Sequence, residues 1–463
     1  MFEKNTFREL PQHFLTEIYM NGGLKRELAQ REIDPEDLAI FLHPEGELEL
    51  RVVDFHHRSV DVPMKEPVVH RKKDHSHVYC SFDVKGVGFL KPETHASKKD
   101  GIERGELAGY PSAYITSHSK ETPWGYDALG LFDERMAMTT VKKSEELSAL
   151  GMRVEAFVAL YRLDRVYVDG EVTTLSALKR EAAERFMQER ADLKATIKSM
   201  MQNRTRPLLE EEILPIRKQI EQLEVWKDDM MRNFSPVIGI RLMKSVFRIR
   251  DLQDATPAQA RIMLEEAVAN LQTERRLLHQ EETVPEFTLS SVEGREAYLT
   301  QLAKWFGEGL GILMKTGQSH LFLHMGNLSL AGEIVDLDSV SKVLRTRQGK
   351  VSFGDGANVY TAMHEEYHLP NCLIKDMRDI VFSLKKLVQA LRAQGYDIRK
   401  TAKEQIVHAS LAGFTKALGT DHEPYQAIHV TNQRLCEVFG SILERILISG
   451  EHMSPLPQDD SAK

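Results

Sequence analysis

Cysteine is scarce in this chain: Cys80, Cys372 and Cys436 are the only three in 463 residues, widely spaced and with no CxxC pair. That usage argues against a cysteine zinc cluster and fits a reducing compartment. No run of about 18 apolar residues occurs, so a membrane-spanning helix is not expected. The first residues, MFEKNTFREL, carry charge from the third position and lack the apolar core of a secretory signal. A basic excess is missing too: the net charge is −8 and the pI near 6.2, which leaves no general positive field for a nucleic acid backbone. Internal repeats and long low-complexity segments are absent. These absences describe a protein expected to be soluble and cytoplasmic, with neither membrane nor nucleic acid as a partner.

What is present is the composition of a globular protein, 42% apolar and 28% charged, long enough for one large or several ordinary domains. The stretch Gln318 to Ser339, QSHLFLHMGNLSLAGEIVDLDS, organises the reading. An apolar run leads through Gly326-Asn327 into a short strand, a turn at Ala331-Gly332, and a second strand ending at Asp336-Leu337-Asp338. Asn327 and Asp336 stand nine positions apart, so an amide oxygen and a carboxylate can meet at the open end of one strand pair. Those are hard oxygen ligands of the kind that a magnesium ion carrying nucleotide phosphates prefers. The plain alternative is a turn-capping asparagine and a loop aspartate.

Upstream, residues 1 to about 43 read as helical, with a break at Asn21-Gly22-Gly23, before strands begin at ELELRVVDF. HVYCSFDVKGVGFL alternates up to Lys85, after which Gly86-Val87-Gly88 permits close backbone approach. Lys85 is placed to hold phosphates; an edge-strand lysine that discourages aggregation is the alternative. Residues 91 to about 126 read as a long irregular segment. A helix is expected from about Asp133 to Leu150, ended by Gly151, with Glu134 in its first turn. From there Glu134 can orient Lys85, or simply favour the helix N-terminus. RVEAFVALYRLDRVYV reads as a strand pair approaching a tight turn at Asp169-Gly170.

Between about Thr173 and Arg232 helix-forming residues dominate, broken near Asn203 to Pro207, and Ile213, Ile216, Ile220, Leu223 and Trp226 recur at spacings of three and four. This is a helical hairpin inserted in the main body. VIGIRLMKSVFRIRD follows, and its period leaves helix and strand open; Arg241 and Arg248, seven apart, share a face only in a helix. Their guanidinium forks suit phosphate oxygens. Helices are expected again at about 257–282, 291–315, 373–395, 401–419 and 425–449, and the last ten residues read as a disordered tail.

One competing motif is sharp. His364-Glu365-Glu366-Tyr367-His368 matches HExxH, which on a helix binds zinc through two histidines and uses the glutamate as a base, with Glu404 a conceivable third ligand. Leu369-Pro370 follows at once, whereas a zinc-binding helix continues past its second histidine.

Four stretches, in order, resemble the selenoprotein-O family. DVKGVGFLKP resembles the family's strand that ends in a lysine followed by Gly-x-Gly, and KKSEELSALGMRV the end of the helix beneath it. VIGIRLMKSVFRIRDL is similar to the segment with two nucleotide-contacting arginines seven apart. HLFLHMGNLSLAGEIVDLDS resembles the hairpin whose asparagine and following aspartate bind the metal. The resemblance spans about 250 residues, interrupted by the helical insertion. It implies an α+β, bilobal protein-kinase-like fold, and transfer of AMP from ATP to protein hydroxyl groups with Mg2+ or Mn2+.

Carried onto this chain, the resemblance implies that Lys85 holds phosphates, Glu134 orients it, Arg241 and Arg248 contact the nucleotide, and Asn327 and Asp336 bind the metal. One position departs. The family's catalytic base, an aspartate, is here Gly326, and no glycine-rich phosphate loop is recognisable before Lys85. Asp338, His324 or His320 then become substitutes for the base.

The expected organisation is an N-lobe over 1–172 with an N-terminal extension, the hairpin over 173–234, a mainly helical nucleotide- and metal-binding C-lobe over 235–452, and a tail over 453–463. The expected activity is ATP- and metal-dependent transfer of AMP, or of phosphate, to a protein substrate. The alternatives are a catalytically degenerate pseudokinase-type scaffold and an HExxH zinc hydrolase.

Overall fold

The computed structural model describes residues 4–52, 59–72, 74–88, 131–168, 171–202, 210–320, 323–345, 351–353 and 369–418. It is a mixed α+β protein, with a large antiparallel sheet in the N-terminal part and helices gathered in the C-terminal part.

The sheet begins where helix was expected. Lys4–Glu9 (β1) and Leu15–Met20 (β2) are strands, followed by the helix Gly22–Ala29 (α1) and the strand Ile40–Leu42 (β3). Asn21-Gly22-Gly23 therefore starts a helix instead of breaking one: the Asn21 side chain accepts hydrogen bonds from the backbone N–H groups of Gly23 and Leu24. Tertiary pairing overrides local propensity here, because Phe7 lies opposite Leu42 and Leu48 and is fully buried against the sheet.

Leu48–Val52 (β4), Ser59–Arg71 (β5), Ser76–Lys85 (β6), Phe132–Asp133 (β7), Ala156–Leu163 (β8), Arg165–Val168 (β9), Glu171–Thr174 (β10) and Pro236–Met243 (β11) follow. Nine strands form one sheet in the order β2-β8-β11-β6-β5-β4-β1-β3, with β7 added on β11, while β9 and β10 make a separate hairpin. The ambiguous segment after Pro236 is thus a central strand, buried along its whole length.

Glu134–Ala149 (α2) starts at Asp133, whose carboxylate accepts from the Arg135 N–H, and stops before Gly151, which takes a left-handed φ of 86°. The expected insertion is present as Leu175–Gln202 (α3) and Glu210–Asn233 (α4), two helices packed on each other between β10 and β11. Leu178 and Leu223 tie its base to the sheet's hydrophobic cluster.

The C-terminal part holds Pro257–Leu277 (α5), Val292–Lys315 (α6), Leu369–Ala393 (α7) and Ala402–Leu418 (α8). A capping box between Thr256 and Gln259 starts α5, and Ser291 caps α6. The expected helix at 425–449 and the tail lie outside the described residues. Helix α6 is the axis of this part and packs along α8. Their backbones approach closely because Gly307 faces the Ser410 carbonyl and Gly413 faces the Lys304 carbonyl, leaving no room for a Cβ at either position.

Gly307→Ala should therefore force α6 and α8 apart at a cost of roughly 1–3 kcal/mol, read as a lower urea midpoint with an unchanged slope. A wild-type midpoint would contradict this close packing.

Candidate functional site

Lys85 ends β6, and Arg241 lies on the neighbouring strand β11. Beyond β11 the chain leaves the sheet, and Arg248 forms an isolated bridge with Ser329 in the stretch that organised the sequence reading. That stretch is more compact than the expected hairpin. Gln318–Ser319 pairs with Ser341–Lys342, and between Asn327 and Asp336 the pairing is by single bridges, Leu328 with Ile334, Ile334 with Val154 and Ser329 with Arg248, flanked by one-turn helices at Met325–Asn327 and Leu337–Ser339. Gly332, at φ 81°, makes the predicted turn.

The outcome is a convergence on Asp336. Lys85 Nζ lies 2.8 Å from Asp336 Oδ1, and Arg248 Nη1 lies 2.8 Å from Oδ2. Arg241 Nη1 stands 3.8 Å from Oδ1 while also pairing with Asp83 and Glu155. The three cations thus face three carboxylates, Asp83, Glu155 and Asp336, and all six groups are buried or nearly so. Arg241 is fully buried, which the sequence motif alone does not show. Lys85 also rests 4.6 Å over the Phe132 ring.

Asp336 is held in place by its backbone. Its φ and ψ are 58° and 54°, a left-handed conformation that aspartate tolerates, and its N–H donates to Glu155 Oε1 at 3.2 Å. Asn327 lies in the same turn: its carbonyl accepts from the Val335 N–H at 3.0 Å, and the residue is only 5% exposed. Arg248 also donates to the Gly326 carbonyl at 2.6 Å, tying the asparagine's neighbour to the cationic group.

Glu134 requires a correction. Its carboxylate accepts two 2.7 Å hydrogen bonds from Arg162 on β8, and these hold its pKa below the usual range; it does not orient Lys85, whose ammonium is held by Asp336. The reason is position on α2. The first turn lies beside β7 and β8, whereas Thr140, Val141, Ser144 and Leu147 face inward farther along. Ser144 Oγ donates to the Glu155 carbonyl, so α2 supports the cluster through a serine and not through a glutamate.

Asp83 and Glu155 were missed in the sequence. Asp83 sits two residues before Lys85 in an alternating strand, so its face was legible; Glu155 has no comparable signal.

Of the substitutes for the base, His320 is fully buried, its ring bonded to the Val335 carbonyl at 2.9 Å and to Ser339 at 3.1 Å, which makes it a brace behind Asp336. His324 reaches solvent, and its Nδ1 accepts from the Gly326 N–H at 3.0 Å. Desolvation by the protein packed around the ring, with His320, Arg250 and Arg248 adding to it against Asp336, lowers its pKa to about 4. A Cβ at position 326 would stand 2.9 Å from the His324 ring, so this histidine borders the place where the family's aspartate side chain begins. Asp338 is half-buried in the turn after Asp336.

A second buried network supports the turn from below. Lys244 pairs with Glu274 on α5, and Arg153 grips the same carboxylate through two hydrogen bonds at 3.1 and 2.7 Å. Burial opposes ionisation of Glu274, but Arg153 and Lys244 outweigh it and hold its pKa at about 2. Glu333 accepts from the Lys244 N–H at 2.9 Å and from Ser329 Oγ at 3.1 Å, which locks the loop between Asn327 and Asp336 to the end of β11.

Among the described residues, no group of three or more His, Cys, Asp or Glu is arranged to hold a metal ion. Asn327 and Asp336 carry an amide and a carboxylate oxygen, ligand types that suit a hard ion whose remaining ligands are water and phosphate. The HExxH residues 364–368 lie outside the described residues, and α7 begins at Leu369, directly after the motif. Among the described residues no helix is long and apolar enough to cross a membrane. Neither a protein-family model nor a curated protein matches the chain.

Glu274→Gln should cost about 3–5 kcal/mol, because Lys244 and Arg153 lose a buried partner. Glu134→Gln, which removes half of a partly exposed pair, should cost no more than about 1 kcal/mol. Urea denaturation at neutral pH separates the two, and equal costs would contradict this ranking. The contribution of Glu274 should be fully present above pH 4.5, its unperturbed pKa, and be lost as the pH falls from there through about 2.

Proposed function

We propose that this chain is a divergent member of the selenoprotein-O family: a kinase-like, bilobal transferase that moves AMP from ATP to a hydroxyl group on a protein, with Mg2+ or Mn2+. One observation carries the reading. Lys85, Arg241 and Arg248, brought from three separate segments, meet at Asp336, with Asn327 in the same turn. Polyphosphate transfer depends mainly on positioning and charge neutralisation, and this geometry supplies both.

In this reading Lys85 and Arg248 exchange their contacts with Asp336 for contacts with phosphate oxygens, which frees the carboxylate to join Asn327 in holding the metal. A bound divalent ion would neutralise the charge that builds on the phosphates during transfer. Arg241 stays clamped between Asp83 and Glu155 and contributes a fixed positive field. His324 borders the position of the missing carboxylate, but its Nδ1 already accepts from the Gly326 N–H, so in this reading positioning and charge neutralisation carry the transfer without a replacement base.

A second reading rests on Gly326 and on Glu134. With no carboxylate at 326, and with the α2 glutamate turned to Arg162, the chain reads as a degenerate scaffold that binds nucleotide weakly or not at all and modifies nothing. The HExxH zinc hydrolase is the third.

Purified protein incubated with Mg2+ or Mn2+ and ATP labelled at the α or the γ phosphate, beside Asp336→Ala, distinguishes these readings. The expected outcome is label retained from the α position and lost in the variant. Label from γ alone would indicate phosphate transfer. No label together with no ATP binding would overturn the transferase, and stoichiometric zinc that disappears in His364→Ala would then indicate the hydrolase.

A further inference from the structure

The face of the sheet that carries Lys85 is polar and buried. Strand register places Arg51, Asp61, Asp83 and Arg241 in one row across β4, β5, β6 and β11, with signs alternating in pairs. The adjacent row runs from Ser59 through Lys85 to Gly239. The opposite face of the same strands holds Val60, Phe82, Val84, Ile240 and Leu242 in the hydrophobic cluster. Ser59 and Asp61 thus flank Lys85 and Asp83 on the side that meets the phosphate-directed cations.

Two atoms on this face lack partners among the described residues. Ser59 Oγ and Asp61 Oδ1 are both buried without a hydrogen bond, in residues 0% and 1% exposed. Asp61 is nevertheless rigidly aimed. Its other oxygen is held by Arg51, which lies 4.6 Å from the Phe247 ring centroid and is held in turn by Glu266 on α5 at 3.0 and 3.1 Å. Buried polar atoms are paired in the great majority of cases, so two orphans on one rigid strand point to a partner that arrives from outside.

Chemistry narrows that partner. A phosphate would be repelled by the carboxylate oxygen of Asp61 that lacks a partner among the described residues, and an apolar group would leave both orphans unsatisfied. Groups carrying O–H donors satisfy both: the carboxylate oxygen accepts, and the serine hydroxyl donates or accepts. Neighbouring strands lie about 4.8 Å apart, so this position is one short step from Lys85, as a sugar is one bond from its phosphate.

We propose that Ser59 and Asp61 form the subsite for the sugar hydroxyls of the nucleotide whose phosphates Lys85 and Arg248 hold beside the fixed charge of Arg241. This rests on the nucleotide reading above and adds to it a determinant of specificity.

Calorimetry on the full chain with Mn2+ tests it, using ATP, 2′-deoxy-ATP, 3′-deoxy-ATP and inorganic tripolyphosphate against wild type, Ser59→Ala and Asp61→Asn. Wild type should bind at least one deoxy analogue about tenfold more weakly than ATP, and Asp61→Asn should weaken ATP about tenfold and erase that preference. Ser59→Ala, which removes no charge, should act in the same direction. Tripolyphosphate should bind all three proteins alike. Equal binding of ATP and both deoxy analogues by wild type, or unchanged preferences in both variants, would mean that the orphans hold only buried water and would overturn the subsite alone. A parallel loss of tripolyphosphate binding in Ser59→Ala would make the role structural and also overturn it. Failure of wild type to bind either ATP or tripolyphosphate would overturn the nucleotide reading itself.

Discussion

The carboxylate of Asp336 is the point on which the rest depends. It is the common partner of Lys85 from β6 and Arg248 from the segment after β11, and it lies within reach of Arg241. Taking three cations and three carboxylates out of water is expensive, and mutual attraction only offsets that cost; apolar replacements of similar volume are often neutral or stabilising. Stability therefore does not account for the cluster. On the proposed reading, the cluster serves a site that presents positive charge to an anion in a low dielectric, where that charge counts for more.

Much of the surrounding architecture serves to fix this carboxylate. Glu155 receives the Asp336 N–H and clamps Arg241, while Ser144 of α2 donates to the Glu155 carbonyl. His320 and Ser339 brace the turn from behind, and Glu333 ties the loop to the end of β11. Beneath these lies the Lys244–Glu274–Arg153 network, and beneath that the glycine-mediated contact of α6 with α8.

Legibility in the sequence followed physical range. The helical hairpin stood out because its three-and-four spacing is local and its composition is extreme, and Leu175–Gln202 and Glu210–Asn233 lie where that pattern put them. The turn at Gly332 and the end of α2 at Gly151 were legible for the same reason. The N-terminal strands were not, because Phe7 becomes a strand residue only by pairing with Leu42 and Leu48, contacts that no local pattern encodes. Arg241 and Arg248 both reach Asp336, yet they do so from a strand and an irregular segment and not from one helix face. Glu134 was assigned to Lys85 from its place in the first turn of a helix, but which face of that helix meets the sheet is a tertiary property, and it gives Glu134 to Arg162. Glu155 had no local signal at all.

The account stands or falls on whether Asn327 and Asp336 hold a divalent ion together with nucleotide. Electron paramagnetic resonance of Mn2+, titrated with protein in the presence and absence of ATP, reads this directly. The account predicts that free Mn2+ is depleted to one ion per chain only when ATP is present, and that Asn327→Ala weakens this ternary binding by about tenfold or more. Mn2+ bound equally well without ATP, bound unchanged by the Asn327→Ala variant, or not bound even with ATP would contradict it.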